Sequence, residues 1–408
     1  MRLFWLNRLF LSTVICLLSI CCFAQYANPL KLQDKTSADL KVGAQQTAVY
    51  FQLLKGKSVA FVGNQTSVIG KTHLVDTLLS MKINLKKIFF PEHGFRGNED
   101  AGEHLRTYKD RKTGLTCISL YGKENKKPKG DDLKDVEVVI FDIQDVGSRF
   151  YTFISTLHYV MEACAENKKQ LIVLDRPNPN GYYIDGPVLD MKFTSFTGMH
   201  PVPIVHGMTI GEYARMINGE KWLANGAQCN LTVIPVEKYT HNDLYQIPIK
   251  PSPNLPNMSS IYMYPSMCLF EGTLVSVGRG TDKPFQQFGY PQLVRGNIMF
   301  TPRSIKGASE NPLYNGQPCH GFDVSTYGEV YVKYSKKVYL FWILNLYNTS
   351  TVKDKFFNNY FNLLAGNDIL QKQIKEGKTE EDIRKTWEPG LIQFKEIRRK
   401  YLIYQDFE

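Results

Sequence analysis

The amino-acid sequence predicts an α/β protein in which a parallel-sheet domain is followed by a smaller α+β domain. Up to about residue 250, short apolar runs typical of buried strands alternate with amphipathic helical patterns. Such alternation is typical of a parallel β-sheet that carries helices on both faces. It ends at the Pro-rich stretch IPIKPSPNLPNM, which begins at Ile247. We therefore predict the two domains at residues 45–250 and 251–408.

The elements of the first domain can be assigned in order. Strands are predicted, in turn, at KSVAFVGN, LKKIFFPEH, CISLYG, VEVVIFDIQD, QLIVLDRPNPNG and CNLTVIPV. HLVDTLLSMKI and RFYTFISTLHYVMEACAEN predict helices, and the second has apolar residues at three- and four-residue steps. TIGEYARMINGE predicts a helix with Thr209 as N-cap and Glu212 three positions later, which is the capping-box pattern.

The second domain contains three distinctive segments. The glycine-rich FEGTLVSVGRGTDKPFQQFG is followed by the apolar KVYLFWILNLY and by FKEIRRKYLIY, a basic and aromatic segment that predicts a helix. This mixture predicts a smaller α+β domain packed on the first one.

The first 24 residues predict a secretory signal peptide. MRLFWLNR is basic, LFLSTVICLLSI is apolar, and small residues flank a cut after Ala24. A retained membrane anchor is the alternative, but the apolar run is short for a bilayer span. We expect an exported protein, periplasmic or extracellular, with no membrane contact after cleavage.

Charge and cysteine content exclude several classes of partner and cofactor. The formal charge of +10 becomes +8 once Arg2 and Arg8 are removed with the signal. This mild bias suits an anionic polymer, but no dense basic run predicts nucleic-acid binding. The five remaining cysteines are widely spaced and lack a CxxC pair, so neither a disulfide framework nor a zinc site is expected.

The segment GNQTSVIGKT has six residues between its glycines, where a phosphate-binding loop needs four, so we expect no nucleotide cofactor.

Polar side chains follow the apolar runs of the first domain at four points. Ligands of parallel sheets bind beyond the carboxyl ends of the strands, so these side chains predict one shared site. The candidates are Glu92, His93, Arg96, Asp142, Gln144, Asp145, Arg149, Tyr151, Asp175, Arg176, Asn178, Asn180 and His206.

A second group of candidates lies in the second domain. Asn254 stands in PSPNLPN, and the glycine-rich segment carries Glu271, Arg279, Thr281 and Asp282. Glycines would let this segment lean over the crevice of the first domain and close it. The alternative is a β-hairpin whose glycines serve its turns.

Carboxylates dominate both groups, and neither a GxSxG nor an HExxH motif is present. Cleavage of a glycosidic bond needs an acid for the departing oxygen and a second group for the developing oxocarbenium charge. Glu92 is the candidate acid, and Asp142 or Asp145 the candidate second group. A metal-dependent hydrolase or deacetylase would instead place a cation on His93, Asp142, Asp145 and His206, but their spacing favours no metal. A non-catalytic cell-wall-binding protein is the third alternative.

A set of long motifs carries a family resemblance. FFPEHGFRG, FDIQDVGSRFYT, VLDRPNPNG, DGPVLD, VPIVHGMTIGEYA, PSPNLP and LFEGTLVSVGRGTDKPFQQFG resemble, in this order, the NamZ-type exo-β-N-acetylmuramidases of glycoside hydrolase family 171. The resemblance spans about Gln45 to Tyr404. It implies a Rossmann-like N-terminal domain, a smaller C-terminal domain and an active cleft between them. It also implies release of N-acetylmuramic acid from the non-reducing end of peptidoglycan fragments, with Glu92 at the position of the catalytic glutamate.

The implied substrate makes two further demands on the site. Its 2-acetamido group could act as an internal nucleophile, in which case Asp142 or Asp145 would orient it. Its lactyl carboxylate needs a cation, and a guanidinium can hold a carboxylate through two parallel hydrogen bonds. The candidates for that cation are Arg96, Arg149, Arg176 and Arg279.

Overall fold

The computed structural model describes residues 32–92, 94–96, 107–122 and 126–408. The predicted signal peptide and His93 lie outside the described residues, so the predictions made for them stay predictions. Across the described ranges, no helix has both the length and the apolar character that a membrane crossing requires.

The bounds of the elements follow the sequence pattern closely. The strands are β1 (Gln33–Lys35), β2 (Ser58–Gly63), β3 (Val68–Ile69), β4 (Thr72–His73), β5 (Asn84–Phe90), β6 (Tyr108–Lys109), β7 (Thr116–Ser119), β8 (Val138–Asp142), β9 (Gln170–Leu174), β10 (Asn230–Ile234), β11 (Asp243–Tyr245), β12 (Gln287–Tyr290), β13 (Ile298–Phe300) and β14 (Cys319–Asp323). The α-helices are α1 (Thr47–Leu54), α2 (Leu74–Ser80), α3 (Gly130–Leu133), α4 (Phe153–Glu166), α5 (Ile210–Gly219), α6 (Met258–Met267), α7 (Lys333–Ser335), α8 (Phe341–Thr349), α9 (Phe361–Ala365), α10 (Ile369–Lys375), α11 (Glu380–Lys385) and α12 (Glu388–Arg399). Short 3₁₀ helices lie at Gly43–Gln45, Met191–Phe193, Ala224–Gly226, Cys268–Gly272 and Lys353–Lys355, and a π-helical turn at Gly328–Val332.

A mostly parallel sheet forms the centre of the larger part. Within the described residues it has seven strands in the order β10-β9-β8-β2-β5-β7-β6, and every pair is parallel except β6 with β7. Numbered along the chain, its parallel strands have the order 6-5-4-1-2-3. The order reverses between β2 and β8, and ligands of such sheets bind near that point, beyond the carboxyl ends.

Both faces of this sheet are buried, as its continuous apolar runs predicted. Along β8, Val139 and Phe141 point into one core cluster, and Val138 and Ile140 point into another. Helices α1 and α2 cover the second face, and α4 and α5 cover the first. A fully buried side chain such as Phe141 contributes on the order of 2 kcal/mol of hydrophobic free energy.

The predicted capping box at the start of α5 is confirmed. The Glu212 N–H donates to Thr209 Oγ1 over 3.2 Å, and the Thr209 N–H donates to the Glu212 carboxylate over 2.9 Å. The Thr209 hydroxyl also donates to Asp175, at the end of β9, over 2.7 Å. The start of α5 is therefore hydrogen-bonded to the carboxyl edge of the sheet.

The smaller C-terminal part packs on the first face of the sheet. It contains an antiparallel sheet in the order β12-β14-β13, together with the helices from α6 onwards. Buried apolar side chains of this part, among them Val275, Phe361 and Phe394, belong to the same core cluster as α4 and α5. The chain is thus a mixed α/β protein with a central, mostly parallel sheet and a smaller C-terminal part.

Candidate active site

A cavity of about 460 Å³ lies where the carboxyl ends of the strands meet the C-terminal part. This volume is within the range of pockets that hold small ligands. Residues from both parts of the chain line it: Glu92, Tyr121, Tyr151, Thr152, Phe153, Phe196, Thr197, Ser252, Asn254, Leu255, Tyr264, Glu271, Arg279, Phe285 and Tyr360. The predicted candidates that share this cavity are Glu92, Tyr151, Asn254, Glu271 and Arg279.

Glu92 and Tyr121 stand side by side because their strands are neighbours. Each residue follows the last residue of its strand by two positions, and β5 pairs with β7 through Phe90 and Ser119. Burial raises the pKa of Tyr121, and the charge of Glu92 and a hydrogen bond to its carboxylate raise it further. Tyr121 therefore stays protonated and donates to Glu92, which fixes the orientation of that carboxylate in the cavity.

A row of aromatic rings joins the two parts along the cavity wall. The ring centroids of Phe153 and Tyr151 are 4.7 Å apart, those of Tyr151 and Tyr264 are 5.7 Å apart, and those of Tyr264 and Phe285 are 5.0 Å apart. All three contacts are edge-to-face, the geometry that aromatic pairs favour. The wall therefore offers a ligand apolar surface interrupted by hydroxyl groups.

Tyr151 is the member of this row with an unused polar atom. It is 8% exposed, and its hydroxyl has no hydrogen-bond partner among the described residues. Burial raises the pKa of Tyr151 well above its ordinary value, and the charges of Asp145 and Glu92 add to this. The hydroxyl is therefore a protonated donor, and a ligand in the cavity would give it the partner it lacks.

Replacing Tyr151 with Phe should separate activity from stability. We expect kcat/KM to fall about 10-fold, as for the loss of one hydrogen bond to a bound substrate. The free energy of unfolding should stay the same or rise by up to about 1 kcal/mol, because the change removes a buried unpaired hydroxyl. Urea unfolding and steady-state kinetics measure the two effects. A marked loss of stability would show that the hydroxyl has a structural role instead.

On the opposite side, Glu271 and Arg279 form an ion pair. Nε of Arg279 lies 2.5 Å from Oε1 of Glu271, and Nη2 lies 3.3 Å from Oε2. Although burial favours the neutral guanidine, the charge of Glu271 and its hydrogen bonds raise the pKa of Arg279. The guanidinium lies over the ring of Phe285, 5.0 Å from its centroid. Glu271 and Phe285 together hold Arg279 at the cavity.

Asn254 and Tyr360 complete the C-terminal side of the cavity. The Asn254 Nδ2 donates to the backbone carbonyl of Ala308 over 2.8 Å, and its backbone N–H donates to Ser252 over 3.2 Å. Burial raises the pKa of Tyr360 to about 12, against the opposing effect of a hydrogen bond with Thr197. Since Thr197 belongs to the larger part, this contact also links the two sides.

Asp142 and Arg176 end neighbouring strands, as predicted, but they pair with each other and do not line the cavity. Nε and Nη2 of Arg176 lie 2.6 and 2.9 Å from the two carboxylate oxygens of Asp142. Both side chains are buried. Burial raises the pKa of Asp142, and the charge of Arg176 opposes this. The charges of Asp142 and Arg176 therefore neutralise each other inside the protein.

Asp145 is buried beside the cavity without lining it. Its Oδ2 accepts a hydrogen bond of 2.7 Å from the Gly147 N–H, and its Oδ1 has no partner among the described residues. Burial raises the pKa of Asp145 to about 7. The charge of Asp145 acts on Tyr151, so Asp145 influences the cavity through that side chain.

Arg149 and Arg96 are likewise engaged inside the protein. Arg149 is fully buried and donates to four backbone carbonyls, each 2.8 or 2.9 Å away. Burial lowers its pKa to about 10. Arg96 contacts the carboxylates of Asp76 and Asp110 over 3.1 to 3.3 Å. Neither guanidinium lines the cavity.

Asp175, Asn178 and His206 fasten loops at the carboxyl edge of the sheet. Asp175 accepts hydrogen bonds from Thr209, the Gly211 N–H and Tyr404, and burial raises its pKa to about 6. Asn178 Nδ2 donates to the Met208 carbonyl over 2.8 Å, and its Oδ1 accepts from the Asn180 N–H over 2.8 Å. His206 accepts from the Met208 N–H over 3.3 Å, and burial lowers its pKa to about 3.

Thr281 and Asp282 lie in the glycine-rich segment but do not line the cavity. Thr281 donates its hydroxyl proton to the Gly278 carbonyl over 2.6 Å, and Asp282 is exposed. Gln144 donates to the carbonyls of Asp145 and Pro177.

Among the described residues, no three His, Cys, Asp or Glu side chains are grouped as a metal site requires. His93, one of the candidate ligands, is outside those residues.

Several residues of the cavity were not among the sequence-based candidates. Tyr121 could have been found, because it stands near the end of the predicted strand segment CISLYG, as Glu92 stands near the end of LKKIFFPEH. Tyr264 and Tyr360 gave no such signal, since they lie in the helical C-terminal part. The other residues missed were Thr152, Phe153, Phe196, Thr197, Ser252, Leu255 and Phe285.

Comparisons with known proteins agree on one family. Models of the N-terminal and C-terminal regions of exo-β-N-acetylmuramidase NamZ match residues 59–259 and 262–404. The peptidoglycan β-N-acetylmuramidase NamZ of Bacillus subtilis (strain 168) is 39% identical over 376 residues, which cover 87% of this chain and 89% of the relative.

Two crystal structures of DUF1343 family proteins from Bacteroides fragilis NCTC 9343 are similar to this fold. One is 46% identical with a TM-score of 0.84, and the other is 28% identical with a TM-score of 0.76. Each match covers 90% of this chain and 99% of the other.

The family models and the Bacillus subtilis relative define the class of protein: it is a glycosidase, a hydrolase of the cell wall. Within that class, the chain belongs to the exo-β-N-acetylmuramidase NamZ family. The family resemblance seen in the sequence is confirmed.

Proposed function

We propose that this glycosidase is exo-acting and releases N-acetylmuramic acid from the non-reducing end of peptidoglycan fragments, with Glu92 as general acid. The observation that carries the proposal is the position of Glu92, which lines the cavity and accepts a hydrogen bond from Tyr121. The name of the Bacillus subtilis relative supports peptidoglycan as the substrate class. The description of the matching family models supports exo action.

The cavity suits the end of a glycan. At about 460 Å³ it has the size of a small-ligand pocket, so it would take one terminal sugar at a time. Glu92 would protonate the glycosidic oxygen, which leaves with the rest of the fragment as its bond to C1 of the terminal sugar breaks, and water finally adds to C1. The hydrogen bond from Tyr121 would hold the carboxyl group in place, and general acid catalysis requires an acid positioned within reach of that oxygen.

The second catalytic function must come from a group that touches the substrate. Asp142 and Asp145 were the candidates, but neither lines the cavity. Asp142 neutralises Arg176, and Asp145 acts through Tyr151. The carboxylate that faces the cavity beside Glu92 is Glu271. The developing oxocarbenium charge is therefore met by Glu271 or by the acetamido group of the sugar itself.

We further propose that the sheet is Rossmann-like and that the protein is exported. The strand order 6-5-4-1-2-3, read from the other edge, is the order of a doubly wound dinucleotide-binding sheet, which supports the first statement. The basic, apolar and small-residue order of the first 24 residues supports the second. The intact mass of the protein recovered outside the cytoplasm would show whether cleavage occurs after Ala24.

Two defined disaccharides test the proposed reaction. One carries N-acetylmuramic acid at the non-reducing end, and the other carries N-acetylglucosamine there. We expect free N-acetylmuramic acid from the first and no product from the second, measured by mass spectrometry. Cleavage of the second disaccharide, or of internal bonds in a longer glycan, would contradict exo-muramidase action.

The same digest separates the two alternatives. A metal-dependent hydrolase or deacetylase would lose activity after exhaustive chelation and regain it when a divalent metal is added. A non-catalytic binding protein would bind muropeptides saturably without forming product.

A further inference from the structure

We infer that Arg279 binds the carboxylate of the substrate's lactyl group. This contact would make the site select muramic acid over glucosamine at the non-reducing end. This inference rests on the proposed function, because it names the group that sets the specificity of the same site. The argument begins with the cations that the cavity offers.

Four arginines were candidates for this role, and the structure leaves one of them at the cavity. Arg96 is engaged by two carboxylates, Arg149 by four carbonyls and Arg176 by Asp142. Among the described residues that line the cavity, Arg279 alone carries a positive charge. An anionic group of a sugar bound there has this guanidinium as its partner.

The ion pair with Glu271 leaves one edge of the guanidinium available. Glu271 takes Nε and Nη2, and no described residue hydrogen-bonds Nη1. A guanidinium has five N–H donors in a planar fork, so the Nη1–Nη2 edge can still bind a second carboxylate through two parallel bonds. The Arg279 side chain is 33% exposed and lines the cavity.

The backbone on both sides of Arg279, and at Phe285, has positive φ angles. Gly278 and Gly280, on either side of it, have φ angles of +77° and +80°. A Cβ on Gly280 would also lie 2.5 Å from the carbonyl oxygen of Arg303. Phe285 has a φ of +58°, which is uncommon for a residue other than glycine, and places its ring against the guanidinium. Such strain persists where the surroundings require it.

The charges of Arg279 and Glu92 act on the same two tyrosine side chains of the cavity. The charge of Glu92 raises the pKa of both Tyr121 and Tyr151, and the charge of Arg279 lowers the pKa of both. A sugar that reaches Glu92 is therefore within the field of Arg279. Because Glu92 and Glu271 both line the cavity, an anionic ligand would be disfavoured there without this cation. Glucosamine lacks the carboxylate and leaves the free edge of Arg279 unused.

The test compares the 4-nitrophenyl β-glycosides of N-acetylmuramic acid and N-acetylglucosamine in wild type, Arg279→Gln, Arg279→Lys and the control Arg303→Gln. The Arg303 side chain is exposed, and its backbone N–H donates a hydrogen bond to the Gly280 carbonyl. For Arg279→Gln we expect kcat/KM on the muramide to fall about 100-fold, toward the low value that wild type shows on the glucosaminide. Arg279→Lys should lose less, because it keeps the charge without the fork. An Arg279→Gln variant that keeps the wild-type preference for the muramide over the glucosaminide would overturn the inference.

A binding experiment with the unaltered protein keeps the inference testable if a variant does not fold or if no hydrolysis is found. Calorimetry would compare N-acetylmuramic acid with its lactyl methyl ester, which is neutral. We expect wild type to bind the acid at least about 10-fold more tightly than the ester, as for a charge-assisted pair, and Arg279→Gln to bind both alike. Equal binding by wild type, or a preference that survives in Arg279→Gln, would show that Arg279 does not read the carboxylate. Failure of the proposed function would appear separately, as absence of product from the disaccharides.

Discussion

Glu92→Gln should lower kcat for the muramic-acid-first disaccharide about 1000-fold, within the range that general acid catalysis contributes. The amide keeps the size of the side chain and its contact with Tyr121, but it has no proton to give to the departing oxygen. Substrate binding should be largely kept, so KM should change little. Mass-spectrometric assays of product against time measure the effect.

The leaving group makes this prediction specific. 4-Nitrophenol is a much better leaving group than a sugar, so it needs less protonation as the bond breaks. The loss caused by Glu92→Gln should therefore be clearly smaller for the 4-nitrophenyl muramide than for the disaccharide. Glu396→Gln is the control, since Glu396 is exposed on α12. Near-normal turnover of the disaccharide by Glu92→Gln would exclude Glu92 as the acid.

Arg149→Met should lower the free energy of unfolding by about 4 kcal/mol, although Arg149 does not touch the cavity. The change removes a donor from four buried carbonyls, those of Pro187, Val202, Leu364 and Ala365, of which Val202 keeps the Leu189 N–H. The first two belong to the larger part and the last two to α9 in the C-terminal part. The substitution should therefore loosen the contact between the parts whose junction forms the cavity, and activity should fall as well.

Urea unfolding with both tryptophan fluorescence and circular dichroism measures this effect. Arg295→Met, at an exposed arginine, is the control and should change the stability by less than about 0.5 kcal/mol. If Arg149→Met unfolded at the same urea concentration as wild type, the four carbonyls would have found other partners.

The strands and the parallel character of the sheet could be predicted from the sequence because they depend on local patterns. β8 and β9 are short apolar runs that end in polar residues, and each lies within the predicted segment. Glu92 could be placed at a strand end for the same reason. The sequence also predicted that Asp142 and Arg176 end neighbouring strands, and they do.

What the sequence could not predict is how the polar groups at these ends divide between partners. A carboxylate that lines a cavity and one that neutralises a buried arginine have the same local pattern, as Glu92 and Asp142 illustrate. The carbonyls that engage Arg149 include those of Leu364 and Ala365, 215 and 216 positions away. Tyr360 reaches the cavity from the C-terminal part, and its neighbours in the chain carry no motif. Contacts of this range are set by the packing of the two parts.

The late segment from Arg398 to Asp406 has a consequence for how the chain is made. Tyr404 donates to Asp175, at the end of β9, from 229 positions further along the chain. Arg398 pairs with Asp406 and donates to the Gly207 carbonyl, so the same segment also secures the loop before α5. While a ribosome is still synthesising the C-terminal part, the nascent sheet lacks these partners. Folding can therefore be completed only after that segment has emerged, however early the strands themselves have paired.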